Sequence, residues 1–273
     1  MDKQSIFSNE YSKIFIGLTD LTRAVREYAT HLPIKLEAME KIYLQKTSGY
    51  SEVEQKKIVY FREASAYKFH LANLHLEQLW SLMHVGNQSP LLKDVLRNIY
   101  DTHQFAEDSI LLPSFAIEGF IIQGTAFLDF YMLYMCSIFQ ISETNYLSGR
   151  KFLKALQQVE QPHKARSEQV YDYFAEKVFG ESNTGAILTD NWGGLLKSLR
   201  NSLVHRDTLF PDFQNENSLL IKVVGEWPEK LMNLSCSRFS QDIQNVMFYL
   251  MTELAAIVYD LEYKPGPYRL DMW

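Results

Sequence analysis

The feature that most restricts how this chain can fold is an apolar stretch over residues 109–141, SILLPSFAIEGFIIQGTAFLDFYMLYMCSIFQI. A run of this length needs an apolar environment on most sides, supplied either by lipid or by a protein interior. Glu118, Gln123 and Asp129 interrupt it, and charges at membrane depth are costly. No cluster of Lys or Arg flanks it, the nearest bases being Arg97 and Arg150. The stretch therefore predicts the central helix of a helical domain, starting near Pro113 and buried by protein rather than by a membrane.

The rest of the chain reads as helix after helix. Residues 10–31 carry a stripe of Ile14, Leu18, Leu21, Val25 and Tyr28 that Pro33 stops, and Pro33 can open a second helix to about Lys46. Ser51-Glu52-Val53-Glu54 fits a capping box, in which Ser51 accepts from the third helical amide and Glu54 reaches back. The helix it starts is expected to reach about Val85, with Gly86 as a left-handed stop. Ser89-Pro90 opens a short helix to about His103, and later helical patterns cover 149–160, 163–179, 190–205 and 239–262.

Only Leu219–Val224 reads as a strand, rich in branched residues and bounded by Asn217 and Gly225. A lone strand makes no sheet, so it pairs with a short neighbour or lies against helices. Residues 181–188 and 207–217, the latter with Pro211, read as loops. The expected fold class is thus an all-α bundle with one short strand or β-hairpin near 218–225. An N-terminal helical portion (1–105) precedes a more apolar portion (106–263), and residues 264–273, with Lys264-Pro265-Gly266-Pro267, form an irregular tail.

The chain has 273 residues, 47% apolar and 22% charged, enough to bury a sizeable core without staples. Cys136 and Cys236 show no metal-ligand spacing and sit in apolar surroundings, as small hydrophobes in a reducing compartment do. The N-terminal MDKQSIFSNEYSK has no basic patch followed by an apolar core, so a cytoplasmic location is expected. A net charge of −6 argues against a broad basic face for nonspecific nucleic-acid binding, while leaving room for a small local one.

The chain has seven histidines, the side chains that most readily exchange protons near neutral pH. His70, His75 and His84 share one helix, but offsets of five and nine do not stack on one face, and no partner has zinc-ligand spacing. His31, His103 and His163 are isolated and read as surface or capping residues. There is no Gly-rich phosphate loop, nucleophile elbow or His-Glu-x-x-His. Gly193-Gly194 is too short for a phosphate cradle, and close helix packing explains it better.

His205 is different because of its company. It ends the segment Trp192-Gly193-Gly194-Leu195-Leu196-Lys197-Ser198-Leu199-Arg200-Asn201-Ser202-Leu203-Val204-His205, in which Leu195, Leu196, Leu199 and Leu203 supply the core face. Asn201 and His205, four apart, share one side of a regular helix. Arg200 lies about 140° away from His205 around an ideal helix, an offset that a flexible guanidinium or a second copy of the segment can cover.

Arg200-Asn201-x-x-x-His205 resembles the Arg-(Asn/His/Asp)-x-x-x-His signature of HEPN domains (higher eukaryotes and prokaryotes nucleotide-binding), and the surroundings over 106–263 are similar to that family. A long apolar helix with embedded acids precedes the motif, which ends a later helix, and one more helix follows. The resemblance implies a metal-independent endoribonuclease without a cofactor, of toxin or defence type, that acts as a homodimer with its two motifs facing one cleft. It implies His205 as acid or base at the ribose 2′-hydroxyl and leaving oxygen, Arg200 on the phosphate and Asn201 as an orienting group. RNA is then the substrate, and an antitoxin a partner. Some family toxins carry a modifiable Tyr two residues after the histidine; here that position is Asp207, so this silencing route does not transfer.

A plainer reading stands beside this one. Arg200 and His205 near a helix C-terminus complement the helix dipole, worth about 0.3–1 kcal/mol each, and Asn201 can bond a nearby backbone group. The function is then either ribonuclease or a non-catalytic module that binds nucleotide or RNA, or scaffolds a dimer. Lys197, Arg206, Lys164 and Arg166 are candidate nucleic-acid contacts, and Arg150, Lys151 and Lys154 make the region after the apolar helix locally basic. A solvated helix face is the alternative for that basic run. Glu118 and Asp129 are candidate supporting acids, one of which is expected to pair with Arg200, because a buried carboxylate needs a partner. Phe115, Phe120, Phe127, Phe130, Tyr131 and Phe139 read as core rather than as a base-stacking platform.

Overall fold

The structure is a computed structural model that describes residues 37, 40–45, 49–88, 111–142, 148–180, 191–205, 209–215, 218–223 and 236–259. Residues 40–45 are helical, and six further α-helices follow among the described residues: α1 (Glu52–Gln88), α2 (Leu111–Ile138), α3 (Gly149–Leu156), α4 (Lys164–Tyr173), α5 (Trp192–His205) and α6 (Cys236–Tyr259). A π-helical turn, Phe174–Val178, continues α4. Between α5 and α6 lie strands β1 (Leu209–Asn215) and β2 (Ser218–Val223). The described residues are mainly helical, as expected. The helices expected over 10–31 and 90–103, the loop at 181–188 and the tail lie outside the described residues.

Local chemistry sets several boundaries. The Ser51 amide donates to Glu54 Oε2 at 2.7 Å, and the Glu54 amide donates to Ser51 Oγ at 3.3 Å, the reciprocal pair of a capping box. At its other end α1 passes through Gly86 and ends at Gln88. Glycine permits a left-handed stop without imposing one, and its presence inside a helix costs only about 1 kcal/mol. Ser148 caps α3 by accepting from the Lys151 amide. Helix α2 ends with Gln140 at φ 54, where Ile141 N–H reaches Cys136 O and Gln140 N–H reaches Ser137 O, a Schellman arrangement.

Residues 209–215, within the expected loop, are instead strand β1, antiparallel to β2 with Pro211 opposite Ile221. Proline cannot donate to a ladder, but in a two-stranded sheet each strand is an edge, so the missing N–H is tolerated. The expected strand near 219–224 therefore has a partner that Pro211 disguised.

The described residues fall into two compact units. One comprises those within 70–122 and 201–240; the other comprises those within 35–69, 123–200 and 241–273. The boundary expected near residue 105 lies outside the described residues. In the first unit, the His75 ring lies against Gly119 so closely that a Cβ there would overlap the imidazole. Its ring centroid is 5.6 Å from that of Phe115, which is exposed rather than core.

The second unit is organised around the latter part of α2. Phe127, Leu128 and Met132 are fully buried, as are Phe152 of α3, Leu196 of α5 and Met247, Leu250 and Leu254 of α6. Each such side chain contributes about 1.5–3 kcal/mol by leaving water. Phe127 packs on Phe69 at a ring-centroid distance of 5.6 Å, and Phe152 meets Phe174 edge-on at 4.8 Å. Among the described residues, the segment Phe115–Ile138 of α2 is long and apolar enough to cross a membrane by length and composition, and 67% of its most apolar window is buried within the protein. Cys136 is fully buried.

Candidate functional site

Helix α5 carries the motif, and α2 fixes its first half. Trp192, Leu195, Leu196 and Leu199 are buried, whereas Leu203, expected in the core, is only half-buried and Val204 is exposed. Gly193 permits the close approach: a Cβ there would meet Val178 and Leu128. Thr125 of α2 donates its hydroxyl to Leu196 O at 3.2 Å, the carbonyl that the Arg200 amide addresses in regular α-geometry. One turn further along α2, Asp129 Oδ1 accepts from Lys197 Nζ at 2.6 Å. Thr125 and Asp129, four apart on one face, thus hold adjacent residues of α5 immediately before the motif.

This pairing bears on two expectations. Asp129 carries an ion pair with Lys197, not with Arg200, because Lys197 lies one turn nearer along α5. Lys197 in turn is held by that carboxylate, 6.0 Å from the Phe179 ring centroid, and is no freely offered phosphate ligand. Glu118 is half-buried on α2 in the other unit.

Arg200 is half-buried, Asn201 is exposed, and His205 is the last residue of α5. The His205 side chain, Arg206 and Asp207 lie outside the described residues. Of the other candidate contacts, Lys164 is exposed, and Arg166 is half-buried with its guanidinium 5.4 Å from the Tyr43 ring centroid. Arg150, Lys151 and Lys154 are all exposed on α3.

His163 departs from its expected surface or capping role. It occupies the N-cap position of α4 without a side-chain cap bond, is buried, and has its Nδ1 3.4 Å from Tyr43 Oη. Burial first, then the nearby Arg166 charge, hold its pKa below the ordinary value. Burial likewise depresses His70 and His75. No group of three or more His, Cys, Asp or Glu side chains gathers at metal-binding distance among the described residues.

A buried polar cluster went unpredicted. Glu40 is 1% exposed, accepts from the Tyr134 hydroxyl at 2.8 Å, and has Arg62 Nη1 at 3.5 Å; the Tyr259 hydroxyl contacts that of Tyr134. Burial pushes the Glu40 carboxyl above its ordinary value, opposed by the Arg62 charge and the Tyr134 hydrogen bond. The signal was present: Arg62 and Ser65 occupy the stripe shared by buried Ile58 and Phe69, where a helix normally carries apolar residues. The cluster can hold a proton, but its ties are internal to the fold.

No family model, curated protein or solved structure matches the chain.

Proposed function

We propose that this chain is a metal-independent endoribonuclease of the HEPN type, with a HEPN-like core built around α2, α5 and α6, acting as a cytoplasmic homodimer in a toxin or defence role. The observation that carries the reading is the seating of Arg200, Asn201 and His205 on the last two turns of one helix, whose preceding turn is tied to α2 at Leu196 and Lys197. A site needs such preorganisation, because groups that must reorient during reaction give up much of their electrostatic benefit.

The chemistry uses only side chains. His205 takes the proton from a ribose 2′-hydroxyl, whose oxygen attacks the adjacent phosphorus. The bond from phosphorus to the 5′-oxygen breaks, and that oxygen receives a proton from an imidazolium, in the dimer that of the second copy. The products are a 2′,3′-cyclic phosphate end and a 5′-hydroxyl end. Arg200, a planar bidentate donor, stabilises the charge on the phosphoryl oxygens, and Asn201 orients the phosphate or the imidazole. Positions 200 and 205 lie about 140° apart around a helix, which suits a cleft completed by a partner copy. An antitoxin would act by covering that cleft.

The test compares purified wild type with His205→Ala on a mixed RNA substrate in the presence of a chelator. Cleavage to cyclic-phosphate ends by the wild type alone is the expected result. Binding without cleavage by the wild type would replace this reading with a nucleotide- or RNA-binding module.

A further inference from the structure

An open cleft of about 470 Å³ lies where α3, the end of the π-helical turn and α5 meet. Its size falls within the roughly 300–1,000 Å³ typical of small-molecule sites. Arg150 and Lys154 line it from α3, Tyr171 and Phe179 supply aromatic walls, and Lys197 lies on the α5 side. Among the described residues, no Asp or Glu lines it. Arg150 and Lys154 are four apart, so they present their charges from one helix face, and neither forms an ion pair among the described residues. Asp129 neutralises Lys197, which leaves the cleft two positive charges at its edge.

The aromatic wall is built closely. Phe179 stacks on Phe174 at a ring-centroid distance of 6.1 Å with the planes inclined by 28°. Its ring atoms come within 2.7–2.9 Å of where a Cβ on Gly149 would stand. Only glycine at the first residue of α3 lets the ring approach this far. Tyr171 remains half-exposed at the rim. Two cations with no ion pair among the described residues, beside two aromatic rings, match the two parts of a nucleotide, phosphate and base, better than they match a bare anion.

We propose that this cleft binds one nucleotide of single-stranded RNA, with the phosphate on Arg150 and Lys154 and the base against Tyr171 and Phe179. The choice of RNA rests on the ribonuclease reading; the nucleotide chemistry rests on the cleft. Positions 194 and 197 line the cleft and share one stripe of α5 with positions 201 and 205 by helical spacing. The site is a substrate-holding subsite separate from the reacting groups.

The test uses a fluorescein-labelled hexauridylate on the His205→Ala protein, followed by anisotropy across a salt series. Arg150→Ala with Lys154→Ala should weaken binding about tenfold or more and flatten the dependence of log affinity on log salt by roughly one to two units. Tyr171→Ala should weaken binding about fivefold or more with little change in that slope. Lys41→Ala with Lys56→Ala removes the same net charge elsewhere and should change neither. Equal losses from the two double variants would mean general electrostatic attraction and overturn the proposal, as would no binding at about 50 mM salt. Cleavage by the wild type that the Arg150/Lys154 variant matches in rate and affinity would remove the subsite and leave the ribonuclease reading standing. Cleft-dependent binding by a wild type that cleaves nothing would do the reverse.

Discussion

Lys197 Nζ of α5 lies 2.6 Å from Asp129 Oδ1 of α2, one turn beyond the point where Thr125 holds Leu196 O. A bond to a backbone carbonyl and an ion pair therefore fix both the axial position and the rotation of this part of α5 against α2. The carboxylate interrupting the apolar stretch is what keeps Lys197, one turn before the motif, in a defined place.

Asp129→Asn leaves the Lys197 ammonium without its counter-charge. The two side chains are 22% and 37% exposed for Lys197 and Asp129, so water screens much of the interaction and the expected loss is about 1 kcal/mol. In a protein of this size that lowers Tm by roughly 2–4 °C. The shift should shrink toward zero near 1 M salt, where screening removes most of the attraction. A thermal melt series at low and high salt measures it, and a salt-independent shift would mean that lost packing dominates.

Gly193 and Gly124 make opposite predictions from the same substitution. A Cβ at Gly193 would stand 2.9 Å from Leu128 Cδ2 and 3.0 Å from Val178 O, a backbone atom that cannot swing aside. Gly193→Ala should cost about 1–3 kcal/mol through overpacking. At Gly124 the nearest atoms are Leu196 Cδ1 and Met247 Sδ, each at 3.5 Å, ordinary contact distance. Gly124→Ala should be neutral or stabilise by up to about 1 kcal/mol, because alanine is the better helix former. Urea denaturation of the two variants side by side decides it; a common sign would contradict the packing described between α2 and α5.

Much of this was legible because it is local. The Ser51/Glu54 capping box needs only four consecutive residues, and α2 announces itself by composition. What stayed hidden depends on rotation and distance between elements. Periodicity places Lys197 and Arg200 on one helix, but it does not say which of them faces Asp129. The spacing of Thr125 and Asp129 offered a hint, since two polar groups four apart in an apolar helix share a face and favour a common neighbour. Pro211 hid β1 because a breaker is read against a sheet interior, and this hairpin has none. The cleft beside Phe179 was invisible, since it depends on how α3, α4 and α5 converge.

The buried cluster predicts an unusual pH response. Glu40 has its carboxyl pushed above the ordinary value of 4.5, mainly by burial. The folded state therefore binds a proton more readily than the unfolded chain, and this group's contribution to stability falls as pH rises from 4.5 through the raised folded value. Relative to Glu40→Gln, the wild type should gain stability on acidification from neutral pH toward 4.5, read by denaturant titration at several pH values. The reverse slope would show that Arg62 outweighs desolvation. Arg62→Met removes the cation from an acid that is 1% exposed and should cost about 3–5 kcal/mol at neutral pH.

Arg200 gives the sharpest test of mechanism against mere capping. Among the described residues it forms no ion pair, so Arg200→Lys, which keeps the charge, should move Tm by no more than about 2 °C. A dipole-capping role requires only that charge, and by that account the variant behaves as the wild type. Stabilising the charge on a phosphoryl group in the transition state requires the planar, two-pronged donor, which lysine cannot supply. The proposed ribonuclease should then lose about 10²–10³ in kcat with KM nearly unchanged. A raised KM with kcat intact would place Arg200 in ground-state binding instead, because only an interaction specific to the transition state lowers kcat and kcat/KM together.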